Sequence, residues 1–197
     1  SLSVSVISAF VTTMMSIFMA LVLVRHPTFL NRFLEPISFI GYALPGVVVA
    51  ISLVFFAVHY TVSLYQTLPL LIIAYVILFF PVALGSTRSA LQQININIDE
   101  SARDLGHSYL GTVLKVTIPI MKSGLLMGVA MTFLLTMKEL PATLILGPIG
   151  FKTLATSVWA ASSEAFFAQA AAPALVLIII SSIPLTMIVI REKRTYF

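Results

Sequence analysis

The sequence predicts an all-α integral membrane protein with about five transmembrane helices and one short helix outside the membrane. Apolar residues make up 59% of the chain and charged residues only 9%, whereas a soluble domain carries about 25% charged residues. Several apolar runs approach the length of about 20 residues that a helix needs to cross a bilayer. A single polar stretch, residues 99–119, separates long apolar runs in the middle of the chain.

Five apolar stretches are the predicted spans of a single domain over residues 1–197. The first contains no charged residue and ends at Arg25, His26 and Pro27. Residues 36–87 contain no Lys, Arg, Asp or Glu and are too many for one helix. We place the break at residues 59–67. The predicted spans are 2–24, 36–58, 68–84, 122–140 and 166–190.

Prolines and glycines inside these spans predict kinks. Gly41, Pro45 and Gly46 lie in the second span, and Pro81 lies near the end of the third. Proline removes a helical hydrogen bond and clashes with the preceding turn. We therefore expect the second span to be kinked or closely packed.

The basic residues of the loops predict the orientation. With five spans, one side of the membrane carries nine Lys and Arg residues, and the other carries Lys138 and Lys152. Basic residues are in excess on the cytoplasmic side. We therefore expect residues 88–119 and the C-terminus in the cytoplasm. On this interpretation the net charge of +4 reflects topology rather than nucleic-acid binding.

The polar stretch predicts a short surface helix, a turn and a helix that enters the membrane. Asn97 and Glu100 have the spacing of a capping box, and Arg103 can pair with Asp99 or Glu100. Gly106 can end or bend the helix. On these residues alone, a well-capped loop on the membrane surface is the simpler interpretation.

Two further features predict how this stretch is arranged. Ala102, Leu105 and Tyr109 fall on one face of a helix and form a short amphipathic strip. Pro119 suits the first turn of the helix that follows, where its missing N–H costs nothing. We expect Pro119 in the first turn of the helix that enters the membrane.

The same stretch contains a motif. It is Glu100-Ser101-Ala102, three residues, Gly106, nine residues, then Val116-Thr117-Ile118-Pro119. This motif resembles the signature loop of binding-protein-dependent ABC importer permeases, whose usual form has Ala, Ile and Leu in place of Ser101, Val116 and Ile118. The resemblance implies the type I importer permease fold, with a cytoplasmic coupling loop over residues 88–119 and its core at residues 99–119.

The resemblance also implies roles and partners. Residues 100–111 would seat in a groove of an ATP-binding subunit. The implied ATPase-coupling residues are Glu100, Ser101, Ala102, Arg103, Gly106 and Pro119. The implied partners are a cytoplasmic ABC ATPase dimer, an extracytoplasmic substrate-binding protein, a second permease half or copy, and the lipid of a bacterial-type inner membrane. The chain has no phosphate-loop motif, so we expect no enzyme activity and no bound cofactor here, with ATP on the partner subunit. Because it begins at Ser1, we expect a fragment or the C-terminal half of a longer permease.

A second resemblance concerns the substrate. The residues Glu139-Leu140-Pro141-Ala142-Thr143 and, later, Gly150-Phe151-Lys152-Thr153-Leu154-Ala155 look like the ferric-iron branch of these permeases. With the signature loop, the resemblance covers roughly residues 88–184. Branches for thiamine, sulfate and polyamines share much of this layout, so a permease for another solute stays open as an alternative.

Glu139 is the candidate residue of the translocation path, together with Pro141 and Thr143. It lies 17 residues after Lys122, about 25 Å of helix rise, which predicts a position near the outer membrane boundary. Its carboxylate is a hard oxygen ligand that suits a hard cation. The alternative is an interfacial Lys138–Glu139 pair with both charged groups in water.

Other functional classes have weaker support. His26, His59 and His107 lie on different loops without metal-ligand spacing, and the chain has no cysteine, so we expect no fixed metal site. No paired carboxylates or Ser–His set indicates an intramembrane enzyme. A non-transporting membrane anchor remains the alternative from a different class, although an anchor has no use for a capped, glycine-broken cytoplasmic loop.

Overall fold

The computed structural model describes residues 1–26 and 28–195 and contains, within them, ten α-helices and no β-strand. Pro27 and the side chains of Arg191, Lys193 and Arg194 lie outside the described part. The helices are α1 (Leu2–Arg25), α2 (Asn31–Ser38), α3 (Gly46–Tyr60), α4 (Leu68–Gln92), α5 (Ile96–Asp104), α6 (Tyr109–Thr112), α7 (Ile118–Lys138), α8 (Pro141–Leu146), α9 (Leu154–Ser163) and α10 (Phe167–Thr195).

Within the described residues, four helices are long and apolar enough to cross a membrane, and a bent pair can supply a fifth crossing. The four are α1, α4, the helical run Tyr109–Lys138 and the Phe167–Thr186 part of α10. This confirms the predicted fold class. Residues 36–58, expected as one span, are divided between α2, a short 3-10 turn at Ile40–Tyr42, and α3.

The break before α3 has a local cause. Pro45 is extended, with φ −61° and ψ 139°, and the segments Asn31–Tyr42 and Gly46–Tyr60 meet at 106°. Gly41 packs so tightly on α4 that a Cβ there would lie 2.4 Å from the carbonyl oxygen of Ile77. The expected kink is therefore a full break, and the glycine lets the broken chain lie directly on α4.

Helices α1, α4 and α7 form the centre of the bundle. Small residues bring α7 close to α4: a Cβ at Gly124 would lie 2.3 Å from that of Ala90, and Gly128 lies over Ala83. A buried polar stripe on α1 includes Ser16, whose Oγ is 2.8 Å from Oγ1 of Thr87 on α4. Small and hydroxyl side chains at helix contacts are typical of membrane bundles.

Helix α10 lies at the edge of the bundle, against α7 and α9. Its Leu175, Ile178, Ile179 and Ile183 are more than half exposed. An exposed, apolar helix surface suits contact with hydrocarbon, because lipid chains are as apolar as these side chains.

The fourth crossing starts earlier than residue 122. Residues Tyr109–Lys138 are helical throughout, with a π-helical turn at Val113–Thr117 immediately before Pro119. Pro119 lies in the first turn of α7, as predicted, but the chain before it is already helical. Proline supplies no N–H and crowds the preceding turn, and a π-turn is a known way to absorb such a local disturbance.

Candidate functional site

Helix α5 begins at a capping residue that the sequence reasoning missed. Asn95 is extended, and its side-chain oxygen accepts a hydrogen bond from the Asn97 N–H at 3.0 Å. The predicted capping box of Asn97 and Glu100 is therefore wrong, because Asn97 already lies inside the helix. Asn95 is itself among the residue types preferred at this position, so the signal was present two residues earlier.

Helix α5 ends at Asp104, and Gly106 forms the turn that stops it, as predicted. Gly106 has φ +91°, and its N–H donates to the Arg103 carbonyl at 2.9 Å, while the His107 N–H donates to the Ala102 carbonyl at 3.2 Å. These two bonds define a Schellman motif, which favours glycine at the left-handed position. Ser108 then caps α6 by accepting from the Gly111 N–H at 3.2 Å.

The two faces of α5 differ sharply. Ala102 faces the bundle and is 7% exposed, whereas Glu100, Ser101 and Arg103 are exposed. Leu105 is 85% exposed, so the predicted strip of Ala102, Leu105 and Tyr109 does not form. Leu105 follows the last helical residue, where the Schellman turn redirects the chain away from the bundle.

Asp99 connects α5 to the membrane-spanning helices. Its Oδ2 lies 2.9 Å from Arg25 Nε at the end of α1, and its Oδ1 accepts a hydrogen bond from Thr117 Oγ1 at 2.9 Å. Arg25 also donates from Nη2 to the Ile94 carbonyl at 3.1 Å. The expected pairing of Asp99 with Arg103 is wrong, because both carboxylate oxygens are engaged from the bundle side.

Two further contacts hold the ends of neighbouring helices. His26 Nε2 lies 3.2 Å from the Tyr109 hydroxyl, so the end of α1 also contacts the start of α6. Arg88 on α4 forms an ion pair with Glu35 on α2. Within residues 1–26 and 28–186, these arginines form the two ion pairs of the structure. The sequence indicated only that Arg25 and Arg88 lie at span ends, not which acids they meet.

Glu139 lies at the turn between α7 and α8. Its Oε1 accepts a hydrogen bond from the Ala142 N–H at 3.0 Å, and it lies 2.8 Å from where a Gly46 Cβ would be. The predicted interfacial pair with Lys138 is not formed, because the carboxylate is turned towards α3 and α8. Lys138 itself is exposed.

The neighbours of Glu139 place it along the bundle. The Gly46 position that it touches lies next to Leu78, ten residues into α4, which is about 15 Å of helix rise from the first residue of α4. The carboxylate of Glu139 therefore lies close to a side chain from the middle of α4. Its expected place near the outer membrane boundary stays a prediction.

Pro141 and Thr143 occupy different surroundings. Pro141 is exposed at the first turn of α8. Thr143 is 3% exposed, donates from Oγ1 to the Glu139 carbonyl at 2.6 Å, and lies 2.6 Å from the buried Tyr75 hydroxyl. Thr143 thus lies in the core, between α4 and α8, and supports the turn that carries Glu139.

His59 and His107 lie in different parts of the structure, at the end of α3 and after α5. His59 Nδ1 is 2.9 Å from the Phe55 carbonyl oxygen on its own helix, and His107 is exposed after Gly106. Among the residues that the structure describes, no three His, Asp or Glu side chains are grouped to hold a metal ion.

Known proteins share this sequence over most of its length. The family described as "Binding-protein-dependent transport system inner membrane component" matches residues 12–195. The Fe(3+)-transport system permease protein FbpB 2 of Haemophilus influenzae is 35% identical over 188 residues, which are 95% of this chain and 37% of the relative.

More distant relatives carry other substrate names. The putative 2-aminoethylphosphonate transport system permease protein PhnV of Salmonella typhimurium is 23% identical over 181 residues, 92% of this chain and 68% of the relative. A spermidine/putrescine transport system permease protein PotC homolog of Mycoplasma genitalium is 27% identical over 201 residues, 98% of this chain and 70% of the relative. The chain belongs to the family of binding-protein-dependent transport system inner membrane components.

Proposed function

We propose that this chain is a membrane-spanning permease unit of an ABC importer and passes a small solute from an extracytoplasmic binding protein to the cytoplasm. The observation that carries the proposal is the exposed, capped α5 with its glycine turn, in a chain of this transporter family. The matched residues are 37% of the iron-transport relative, which leaves room there for a second unit. Two such units around one path would complete the transporter.

The α5–α6 segment, residues 95–112, is the proposed contact with a cytoplasmic ATPase dimer, which would bind ATP. Glu100, Ser101 and Arg103 present charged and polar groups on the exposed face, and Gly106 fixes the direction in which the chain leaves the helix. Ala102 holds the opposite face against the bundle. Pro119 contributes from inside the following helix rather than by contact with the ATPase.

Cysteine cross-linking tests this contact, because the chain has no native cysteine. In the full transporter, Ser101→Cys is expected to cross-link to the ATPase subunit and to respond to nucleotide. Ser163→Cys, exposed at the end of α9, is the matched control and is expected not to cross-link. Absence of the Ser101 cross-link in a membrane-inserted, assembled protein would favour the membrane-anchor alternative.

Ferric iron is the proposed solute. The support is the 35% identity to the iron-transport relative, against 23% and 27% for relatives named for other solutes. Glu139 adds a chemical argument, because a carboxylate inside a membrane bundle is usually functional and is a suitable oxygen ligand for a hard cation. We propose Glu139 as the residue of the path, with Pro141 beside it and Thr143 as its support.

Uptake by proteoliposomes distinguishes the candidate solutes. Ferric iron, spermidine and 2-aminoethylphosphonate are supplied one at a time with the matching binding protein. We expect uptake of ferric iron, and Glu139→Ala is expected to reduce it while the Ser101 cross-link persists. Glu164→Ala, which removes an exposed carboxylate after α9, is the control. Uptake of either other solute instead would reassign the substrate and leave the permease assignment intact.

A further inference from the structure

Asp99 and Arg25 together connect α5 to the ends of the membrane-spanning helices α1, α4 and α7. Asp99 contacts Arg25 at the end of α1 and Thr117 in the π-helical turn that leads into α7. The same Arg25 holds the Ile94 carbonyl, which lies between the end of α4 and the start of α5. No other residue of α5 reaches the bundle through a charged group within the described part of the chain.

These contacts are sheltered from water. The side chains of Arg25 and Asp99 are 10% and 17% exposed, and Thr117 is 1% exposed. Removing one partner of an ion pair in such surroundings is costly, because the other charge is left buried and uncompensated. The hydrogen bonds from Thr117 to Asp99 and from Arg25 Nη2 to the Ile94 carbonyl also fix direction, which apolar packing alone does not.

The opposite side of α5 carries the residues assigned above to the ATPase contact. Asp99 and Ala102 face the bundle, and Glu100 and Arg103 face outward. A force on the outward face therefore reaches the spans through Asp99, across one helix diameter of about 10 Å. The short helix acts as a rigid body, because both of its ends are capped.

We propose that Arg25, Asp99 and Thr117 form the joint that carries movement of α5 into α1 and α7. This rests on the proposed function, since it needs an ATPase on the outer face of α5. The three are positioning residues, and none of them contacts the solute or ATP. With the joint intact, α5 and the end of α1 move as one body; without it, α5 turns against the spans.

Distance measurements between two spin labels test the joint without knowledge of the solute. One label replaces Ser101 on α5, and the other replaces Phe18, which is exposed on α1. With Arg25 present, we expect a narrow distance distribution that ATP and the ATPase leave unchanged. Arg25→Met is expected to broaden the distance distribution even without the ATPase. When ATP and the ATPase are added to this variant, we expect the mean distance between the labels to shift. Arg32→Met, an exposed arginine on α2, is the control and leaves the distribution narrow.

Uptake and ATP hydrolysis provide the functional readout. In proteoliposomes with ferric iron and its binding protein, Arg25→Met is expected to lower the iron carried per ATP hydrolysed by about tenfold, a typical size for coupling between sites. Arg25→Lys keeps the charge but loses the forked donor, so it restores part of the ratio. Asp99→Asn, which keeps an acceptor for Thr117, repeats the test should Arg25→Met fail to insert.

The two hypotheses fail in different ways. A narrow distribution in both Arg25→Met and Asp99→Asn overturns the joint, even when the Ser101 cross-link to the ATPase is present. A nucleotide-driven change in the distance while Arg25 is intact also overturns it. Loss of the Ser101 cross-link while Arg25 is intact overturns the proposed ATPase contact. The joint can still be tested in that case, because the distance distribution of Arg25→Met is measured without nucleotide or ATPase.

Discussion

The α5–α6 segment and the α8 segment, residues 139–153, are held in opposite ways. The first contacts the bundle through charged and hydroxyl groups and keeps a polar face exposed. The second buries one face of its helix: Ala142 and Leu146 are 0% and 1% exposed within an apolar cluster shared with α1, α3 and α4. Burying a leucine side chain stabilises by about 1.5–3 kcal/mol. One segment is thus shaped to be covered by a partner, and the other to stay fixed.

The two segments also use glycine differently, and the largest predicted effect follows from that. A Cβ at Gly147 would lie 2.6 Å from the Thr143 carbonyl oxygen, so Gly147→Ala forces the α8 backbone to move. We expect a loss of about 3 kcal/mol in the free energy of unfolding, measured by SDS titration in mixed micelles. Gly85→Ala on α4, where a Cβ meets nothing within 4 Å, is the control and costs nothing.

The next effect concerns the hydroxyl pair beneath Glu139. Thr143→Val removes the partner of the buried Tyr75 hydroxyl and is expected to cost about 2 kcal/mol, because an unpaired buried polar group loses its solvation without compensation. Tyr75→Phe with Thr143→Val is expected to cost less than the sum of the two single changes. Additive costs would show that the pair contributes nothing and would weaken the contrast between the segments.

A smaller effect is expected at Gly106. Its φ of +91° favours glycine, but a Cβ there meets nothing within 4 Å. Gly106→Ala should therefore cost about 1 kcal/mol through backbone strain alone, and Gly106→Asn less, since asparagine tolerates this conformation. A cost for Gly106→Ala as large as that for Gly147→Ala would contradict the view that the α5–α6 segment has open space around it.

The smallest effect on stability is expected on the exposed face of α5. Glu100→Gln touches no partner within the described chain and should change the free energy of unfolding by less than about 0.5 kcal/mol. We nevertheless expect it to weaken the Ser101 cross-link to the ATPase. A residue with little effect on stability and a large effect on assembly marks a contact surface. An unchanged cross-link would show that Glu100 is not part of it.

Local sequence signals predicted the fold class and the glycine that ends α5, because both depend on short-range physics. Apolar runs report the spans, and a left-handed helix end needs glycine. The contacts of Asp99 and Glu139 were not predictable in the same way. Arg25 and Gly46 are far from them in sequence, and nothing local shows which helices will cross. The break at Pro45 altered the second crossing.

The joint at Asp99 also has a consequence for biosynthesis. Arg25 and the Ile94 carbonyl are 69 residues apart, and Asp99 is made later still. At a synthesis rate of about 5–20 residues per second, roughly 3–14 s pass between the synthesis of Arg25 and that of Ile94. Between Arg25 and Asp99 the sequence contains one carboxylate, that of Glu35, and its final partner is Arg88. Both ion pairs therefore close only after α4 has been made, and Arg25 stays without its final partner until then.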